Sequence, residues 1–277
     1  VSKADFDYFA DFLKTKAGIV ISADKAYLVE NRLAPLAREN GLADANDVLA
    51  KLRMNPSSKL AADAIDAMTT NETLFFRDQR PFDLLRDSVL PEVMARNAAS
   101  KRIRIWCAAC SSGQEPYSIS MLFSELGAKV DGWRLEIVAT DISKVILERA
   151  RTARYSQFEI QRGLPITMLV KYFEQDAEHW MLKRPIRDRV QFREFNLLDS
   201  PRGLGQFDVV FCRNVLIYFE HETKQGILER IAGVMPAQGY LYLGGAETVL
   251  GVSDAFTSAP GMRGVYQPTA KSAARAA

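Results

Sequence analysis

Apolar positions change their period once along this chain, and the change divides it. Phe6, Phe9, Phe12 and Leu13, then Leu28, Leu33 and Leu36, recur at roughly the spacing of a helix face. Ser22 stands where an N-cap would open a helix over 24–40, and Gly41 stands where that helix would stop. Another helix is expected over 44–53; Asn55-Pro56-Ser57-Ser58 breaks the chain, and 59–68 resumes the helical pattern. Nothing in this stretch alternates strands with crossover helices. From Arg102 the pattern becomes α/β: 102–107, 134–139, 190–195, 207–212 and 239–243 read as strands, with helices over 115–126, 144–152 and 222–234 between them. Such alternation predicts a largely parallel sheet covered by helices, its loops gathered at one edge. Residues 81–98 read as a linking helix, 155–185 as an inserted subdomain and 264–268 as a short antiparallel edge. The expected map is therefore a helical domain over 1–80, a linker helix over 81–101 and an α/β domain over 102–269 with an insertion near 155–189. A disordered tail is expected over 270–277.

Composition narrows the classes. A chain of 277 residues can build one large or two smaller cores, and 48% hydrophobic with 25% charged residues is ordinary for a globular protein. No apolar run approaches the roughly 20 residues that span a bilayer, so no membrane insertion is expected. The start, Val1-Ser-Lys-Ala-Asp-Phe6, carries no apolar signal segment, and three cysteines make no disulfide framework; both point to the cytoplasm. A net charge of +2, with basic clusters at Lys101-Arg102-Arg104 and 183–189 but no aromatic stacking platform, weighs against nucleic acid. His179, His221 and the spacing of Cys107, Cys110 and Cys212 do not compose a metal site, so metal-independent chemistry is expected.

The chemistry-bearing segments fall where strands are expected to end. Residues 104–121 run from a strand through a small-residue turn into a helix, an order that places backbone N–H groups and a carboxylate beside a nucleotide-like ligand. The turn lacks three spaced glycines and a phosphate-loop lysine, which favours a cofactor without a triphosphate. Glu115, past Gly113, either complements the helix terminus or compensates a cationic cofactor. Asp141 ends an apolar strand and can hold a ribose diol or serve as an N-cap. Asn196-Leu197 follows another strand and can clasp a heterocycle, or simply form a turn. Arg213-Asn214 brings polar chemistry to the end of the 207–212 strand, with Tyr218 continuing the wall or covering the sheet. The run 69–78 is either capping plus packing or a lid presenting Asn71, Thr73 and Arg77, the last able to orient a carboxylate by paired hydrogen bonds.

Four segments in this order, TTNETLFFRD at 69–78, AACSSGQEPYSI at 108–119, ATDIS at 139–143 and FCRNVLIYF at 211–219, give the chain a family likeness. It resembles the bacterial CheR-type chemotaxis receptor glutamate methyltransferases over nearly its whole length. The resemblance implies a class I S-adenosylmethionine-dependent methyltransferase domain, a separate N-terminal all-helical domain and a small inserted subdomain. It implies a cofactor shell of Asn71, Thr73, Arg77, Glu115, Asp141, Asn196, Leu197, Arg213 and Asn214, with Asp141 on the ribose and Asn196 and Leu197 about the adenine. Arg77 and Tyr218 are implied near the methyl-transfer centre as the catalytic pair. The product would be S-adenosylhomocysteine, no metal would be needed, and the partner would be the cytoplasmic methylation helices of chemotaxis receptors.

Gln114 departs from the acid often found there, and Leu243-Gly-Gly-Ala-Glu247 from the usual Gly-His-Ser-Glu-like ending, so no catalytic histidine is assigned and Glu247 is a structural or substrate-edge candidate. Lys25, Arg32 and Arg38 are either a basic face for acidic receptor helices or solvated charges. Residues 173–180 lack the glycine-bearing insertion associated with a receptor-tail tether, so no stable pentapeptide binding is expected, and a monomer is. The alternatives are a catalytically silent S-adenosylmethionine-sensing adaptor and an RNA methyltransferase.

Overall fold

The structure, a computed structural model, describes residues 1–270. The expected tail over 270–277 lies, from residue 271 on, outside the described residues. By its internal contacts the chain forms two units: Val1–Thr70 with Tyr218–Thr223, and Asn71–Ile217 with the described residues from 224 on. The sequence map drew its first boundary at residue 80; by packing, the chain divides at Thr70/Asn71.

The helical unit contains α1 (Lys3–Ala17), α2 (Ala26–Glu39), α3 (Ala45–Met54) and α4 (Lys59–Met68). Local chemistry sets most of their ends. Ser2 and Ser58 accept N–H groups from the first turns of α1 and α4, and the Asp44 carboxylate accepts those of Asn46 and Asn46's neighbour Asp47. Ser22 makes no side-chain cap; a separate 3₁₀ turn (Ala23–Lys25) precedes α2, which starts at Ala26. Phe9, Leu13, Val29, Leu33, Leu49 and Leu52 are fully buried where these helices meet. Arg32 belongs to this support: its Nη1 donates to the Met68 and Thr69 carbonyls at 2.8 and 2.9 Å, at the C-terminus of α4. A cation there satisfies carbonyls that the helix leaves unpaired.

The α/β unit opens with α5 (Arg80–Leu84), which passes through one π-helical stretch (Leu85–Val89) into α6 (Leu90–Arg96). Phe82, Leu85, Val89, Leu90 and Val93 on this continuous segment are buried in the α/β core, so its packing is that of a core helix. Then follow β1 (Arg102–Ala108), α7 (Gln114–Glu125), β2 (Arg134–Asp141), α8 (Lys144–Thr152), β3 (Arg154–Ser156), α9 (Gln157–Gln161) and α10 (Ile166–Tyr172). The chain continues through β4 (Phe173–Asp176), β5 (His179–Leu182), α11 (Arg184–Arg187), β6 (Val190–Glu194) and β7 (Val209–Cys212). It closes with α12 (His221–Ala232), whose first turn belongs to the helical unit, β8 (Tyr240–Leu243), β9 (Phe256–Ser258) and β10 (Val265–Pro268).

Seven strands form one sheet in the order β6-β2-β1-β7-β8-β10-β9. The first five are parallel, and β10 runs antiparallel between β8 and β9. The chain order reverses outward from β1, with β2 on one side and β7 on the other, so the carboxyl ends of these three strands border the crevice where such sheets hold ligands. The central strands read as nearly continuous apolar runs because both faces are covered: Val209–Cys212 and Tyr240–Leu243 are buried throughout. The insertion forms its own antiparallel sheet, β3-β5-β4. The short strands β3 and β9 carried too little alternation to be read from sequence.

Candidate active site

Left-handed backbone gathers in the loops at the carboxyl edge of the sheet. After β1, Ala109, Ser111 and Gly113 have φ of 56°, 50° and 91°; after β7, Asn214 has 59°; in the 69–78 segment, Phe76 and Asp78 have 50° and 66°. Non-glycine residues are held in that region at a cost of about 1–3 kcal/mol each, and such strain concentrates at functional sites. At Gly113 a side chain would also be crowded: a Cβ would sit 3.1 to 3.3 Å from Tyr117, Ala150 and Phe192.

Three N–H groups of the β1–α7 turn are used internally. Cys110 N–H donates to the Thr140 carbonyl, Ser111 N–H to Asp141 Oδ2 and Gly113 N–H to the Cys110 carbonyl. Carboxylates stand beside the turn. Asp141, 6% exposed at the end of β2, is fixed by Ser111 N–H at 2.9 Å and Ser143 N–H at 3.0 Å. The helix α8 is capped by the Ser143 hydroxyl, which accepts Ile146 N–H, so the cap role belongs to Ser143.

Glu115, in the first turn of α7, has a side chain 12% exposed and joins Oε2 to Arg213 Nη1 at 3.0 Å. Burial raises its pKa above the usual carboxylate value, and the Arg213 guanidinium offsets part of that rise. Its Oε1 has no hydrogen-bond donor among the described residues, leaving one anionic oxygen for a cation. Arg213, its side chain 2% exposed, also donates from Nη2 to Asp78 Oδ2 at 2.7 Å and to the Arg77 carbonyl at 3.0 Å. It therefore ties the β7 end to α7 and to the 69–78 segment.

That segment is anchored from below. Ser118 Oγ accepts Phe76 N–H at 3.0 Å, and Ser111 Oγ donates to the Asn71 carbonyl at 2.7 Å. Arg77 is half-buried, with Nη1 on the Glu72 carbonyl at 3.2 Å, and Thr73 is half-buried beside it in sequence. The insertion supports the same edge: Tyr155 hydroxyl donates to the Ser112 carbonyl at 2.8 Å, and Arg162 pairs with Glu72 at 2.9 Å. Asn196 and Leu197 follow β6 half-buried; Asn196 Oδ1 accepts Leu198 N–H, and the Leu197 carbonyl accepts from Arg230. Asn214 is held through its N–H by Glu247 Oε2 at 2.7 Å.

The structure thus brings Asn71, Arg77, Glu115, Asp141, Arg213 and Asn214 to one edge; hydrogen bonds join Asn71 to Asp141 through Ser111 and Arg77 to Glu115 through Arg213, and Asn214 follows Arg213 in the chain. Tyr218 clusters with the helical unit, where its carbonyl accepts Val20 N–H at 3.0 Å. Four contributors were missed from sequence: Ser111, Ser118, Asp78 and Tyr155. Asp78 lay inside the TTNETLFFRD segment, whereas Tyr155 had no local signal. Glu247 proves to be a loop holder, its carboxylate accepting the N–H groups of Gly244, Asn214, Val215 and Ile217 at 2.7 to 3.3 Å.

Among the described residues no group of His, Cys, Asp and Glu is assembled to hold a metal ion. Cys107, Cys110 and Cys212 are buried and unpaired, and burial pushes all three thiols up, away from the thiolate that ligates metals. No helix among the described residues is long and apolar enough to cross a membrane.

Two carboxylates beside a turn without a phosphate-loop lysine fit a cationic cofactor bearing a diol, as S-adenosylmethionine is. With the sheet order above, they define a class I S-adenosylmethionine-dependent methyltransferase domain carrying an all-helical unit. The sequence matches the CheR methyltransferase, SAM binding domain over residues 71–265 and the CheR methyltransferase, all-alpha domain over 4–69. It is 45% identical to chemotaxis protein methyltransferase Cher2 of Pseudomonas putida, over 90% of this chain and 92% of that one. It is 44% identical to chemotaxis protein methyltransferase 1 of Pseudomonas aeruginosa, over 91% and 93%. A chemotaxis protein methyltransferase of Vibrio parahaemolyticus is 43% identical, over 92% and 93%. The chain belongs to the CheR methyltransferase family. It is a protein-glutamate O-methyltransferase that draws its methyl group from S-adenosylmethionine.

Proposed function

We propose that the protein esterifies glutamate side chains on the cytoplasmic methylation helices of chemotaxis receptors, leaving S-adenosylhomocysteine. What carries the reading is the Glu115–Arg213–Asp78 network beside Asp141, at the sheet edge of a chain that matches both domains of its family. S-adenosylmethionine supplies an electrophilic sulfonium methyl. The acceptor needs no protein base, because a glutamate carboxylate with a pKa near 4.3 is already anionic at neutral pH. The protein's task is alignment, which can lower a barrier by several kcal/mol.

Asp141 holds the ribose hydroxyls, Glu115 neutralises the cofactor's cationic tail through Oε1, and Asn196 and Leu197 flank the adenine. Asn71, Thr73, Arg213 and Asn214 complete the shell. Arg77 orients the incoming carboxylate without gripping it so tightly that the attacking oxygen loses nucleophilicity. Tyr218 is assigned to the methyl-transfer centre by the FCRNVLIYF segment alone. The enzyme acts as a monomer in the cytoplasm and does not stably bind a receptor-tail pentapeptide.

Incubation with methyl-labelled cofactor and receptor cytoplasmic fragments should yield base-labile glutamyl ester. Label on RNA with none on receptor would make it an RNA methyltransferase. Cofactor binding with no transfer to any receptor fragment would make it a sensing adaptor.

A further inference from the structure

A cavity of about 560 Å³ opens on the β8–β10 side of the site, within the size range of ligand pockets. Arg213 and Asp78 form the wall it shares with the cofactor site; Glu115, Asp141, Asn196 and Leu197 do not line it. Arg80, Tyr242, Glu247, Thr248, Arg263 and Tyr266 complete its polar side-chain lining. Both carboxylates are held, Asp78 through Oδ2 by Arg213 and Glu247 by four backbone N–H groups. The donors are not. The Tyr242 hydroxyl, in a residue 1% exposed, and Arg213 Nε are buried without a hydrogen-bond partner. Arg80 and Arg263 are exposed and have no ion-pair partner among the described residues. A buried hydroxyl without a partner costs about 1–3 kcal/mol, and a pocket with two exposed, unpaired arginines at its rim and unpaired donors buried in its wall is complementary to an anion. Burial also pushes the Tyr242 hydroxyl up, so it stays a donor through the neutral range.

We infer that this cavity takes the carboxylate of an acidic side chain of the protein substrate other than the glutamate being methylated. The inference rests on the receptor-glutamate reading above and adds a second point of recognition to it. The reacting carboxylate must stay loosely held to remain nucleophilic, so affinity for an acidic helix is better drawn from a neighbouring carboxylate that does not react. Arg263 and Arg80 at the rim receive it, and the Tyr242 hydroxyl closes on it inside.

The test uses the full chain and a receptor cytoplasmic fragment, with a second fragment in which acidic residues beside the methylated glutamate are changed to Gln. Arg263→Ala should raise KM for the unaltered fragment about fivefold, as loss of an exposed ion pair does. Tyr242→Phe, which removes only the unpaired hydroxyl and leaves the fold intact, should raise it about tenfold. In both, kcat and the S-adenosylmethionine Kd should stay within twofold of wild type, and on the amidated fragment variants and wild type should coincide. Unchanged KM in both variants overturns the inference. So does a KM increase that persists on the amidated fragment. A parallel rise in cofactor Kd overturns it too, by assigning the cavity to the cofactor's own carboxylate. Wild-type enzyme that esterifies no receptor fragment is a different failure, visible before any variant is compared, and it sinks the functional reading with the inference.

Discussion

Replacing Asp141 tests how one carboxylate serves both the fold and the cofactor. Its two oxygens hold the N–H groups of Ser111 and Ser143, both in buried residues. Asp141→Ala leaves both donors unsatisfied, and at about 1–3 kcal/mol for each the fold should lose on the order of 3 kcal/mol. The same change removes the proposed ribose acceptor. A hydrogen bond to a charged group contributes about 1.5–3 kcal/mol, so the S-adenosylmethionine Kd should rise about ten- to hundredfold. Asp141→Asn separates the two effects, because its carbonyl still receives one N–H while the charge and one acceptor are lost. The Asn variant should melt within a few degrees of wild type, by about half the Ala penalty, yet bind cofactor nearly as poorly as the Ala variant. Titration calorimetry with cofactor, beside thermal unfolding of each variant, reads both numbers. A folded Asn variant whose cofactor Kd lies within twofold of wild type would refute the ribose assignment and leave Asp141 a purely structural turn residue.

Glu115 carries a pH prediction: its pKa in the folded protein is raised by burial, so its protonation adds stability below the unfolded value that is lost as pH rises through the folded one. Cofactor affinity runs the other way, falling on acidification from a pH above that of an ordinary glutamate, and Glu115→Gln should flatten the profile measured by calorimetry. Gly163→Ala should destabilise the protein and weaken cofactor binding together, because at φ 86° its Cβ would fall 2.1 Å from the Phe75 carbonyl oxygen. The left-handed strain alone is worth about 1–3 kcal/mol, and normal melting with normal affinity would contradict the coupling of the insertion to the 69–78 segment. Arg32→Ala should cost about 1–3 kcal/mol in thermal unfolding by freeing the Met68 and Thr69 carbonyls, with cofactor Kd unchanged. Unchanged stability combined with a raised receptor KM would return Arg32 to the receptor-facing role. Methyl transfer should survive exhaustive chelation, and loss restored by one particular divalent ion would overturn metal independence.

Periodicity and local chemistry settled much of this protein in advance. Lys59–Met68 and Lys144–Thr152 were read from sequence with the observed bounds, and the structure caps each with the serine before it, Ser58 and Ser143. The buried strands Val209–Cys212 and Tyr240–Leu243 showed as apolar runs because helices cover both faces of a parallel sheet. Asp141, Glu115 and Arg213 stood out because a charge at the end of an apolar strand or the start of a helix is a local anomaly. Partner choice was not local. That Arg213 would hold Asp78 across 135 residues, or that Tyr155 would brace the Ser112 carbonyl from 43 residues away, depends on how distant segments fold together. The same limit explains Ser22, whose capping composition never became a cap, and Arg32, whose charge turned inward to the carbonyls of α4. A sequence states which groups need partners, but only the packed chain decides which partner each one finds, because hydrogen bonds and ion pairs form between neighbours in space.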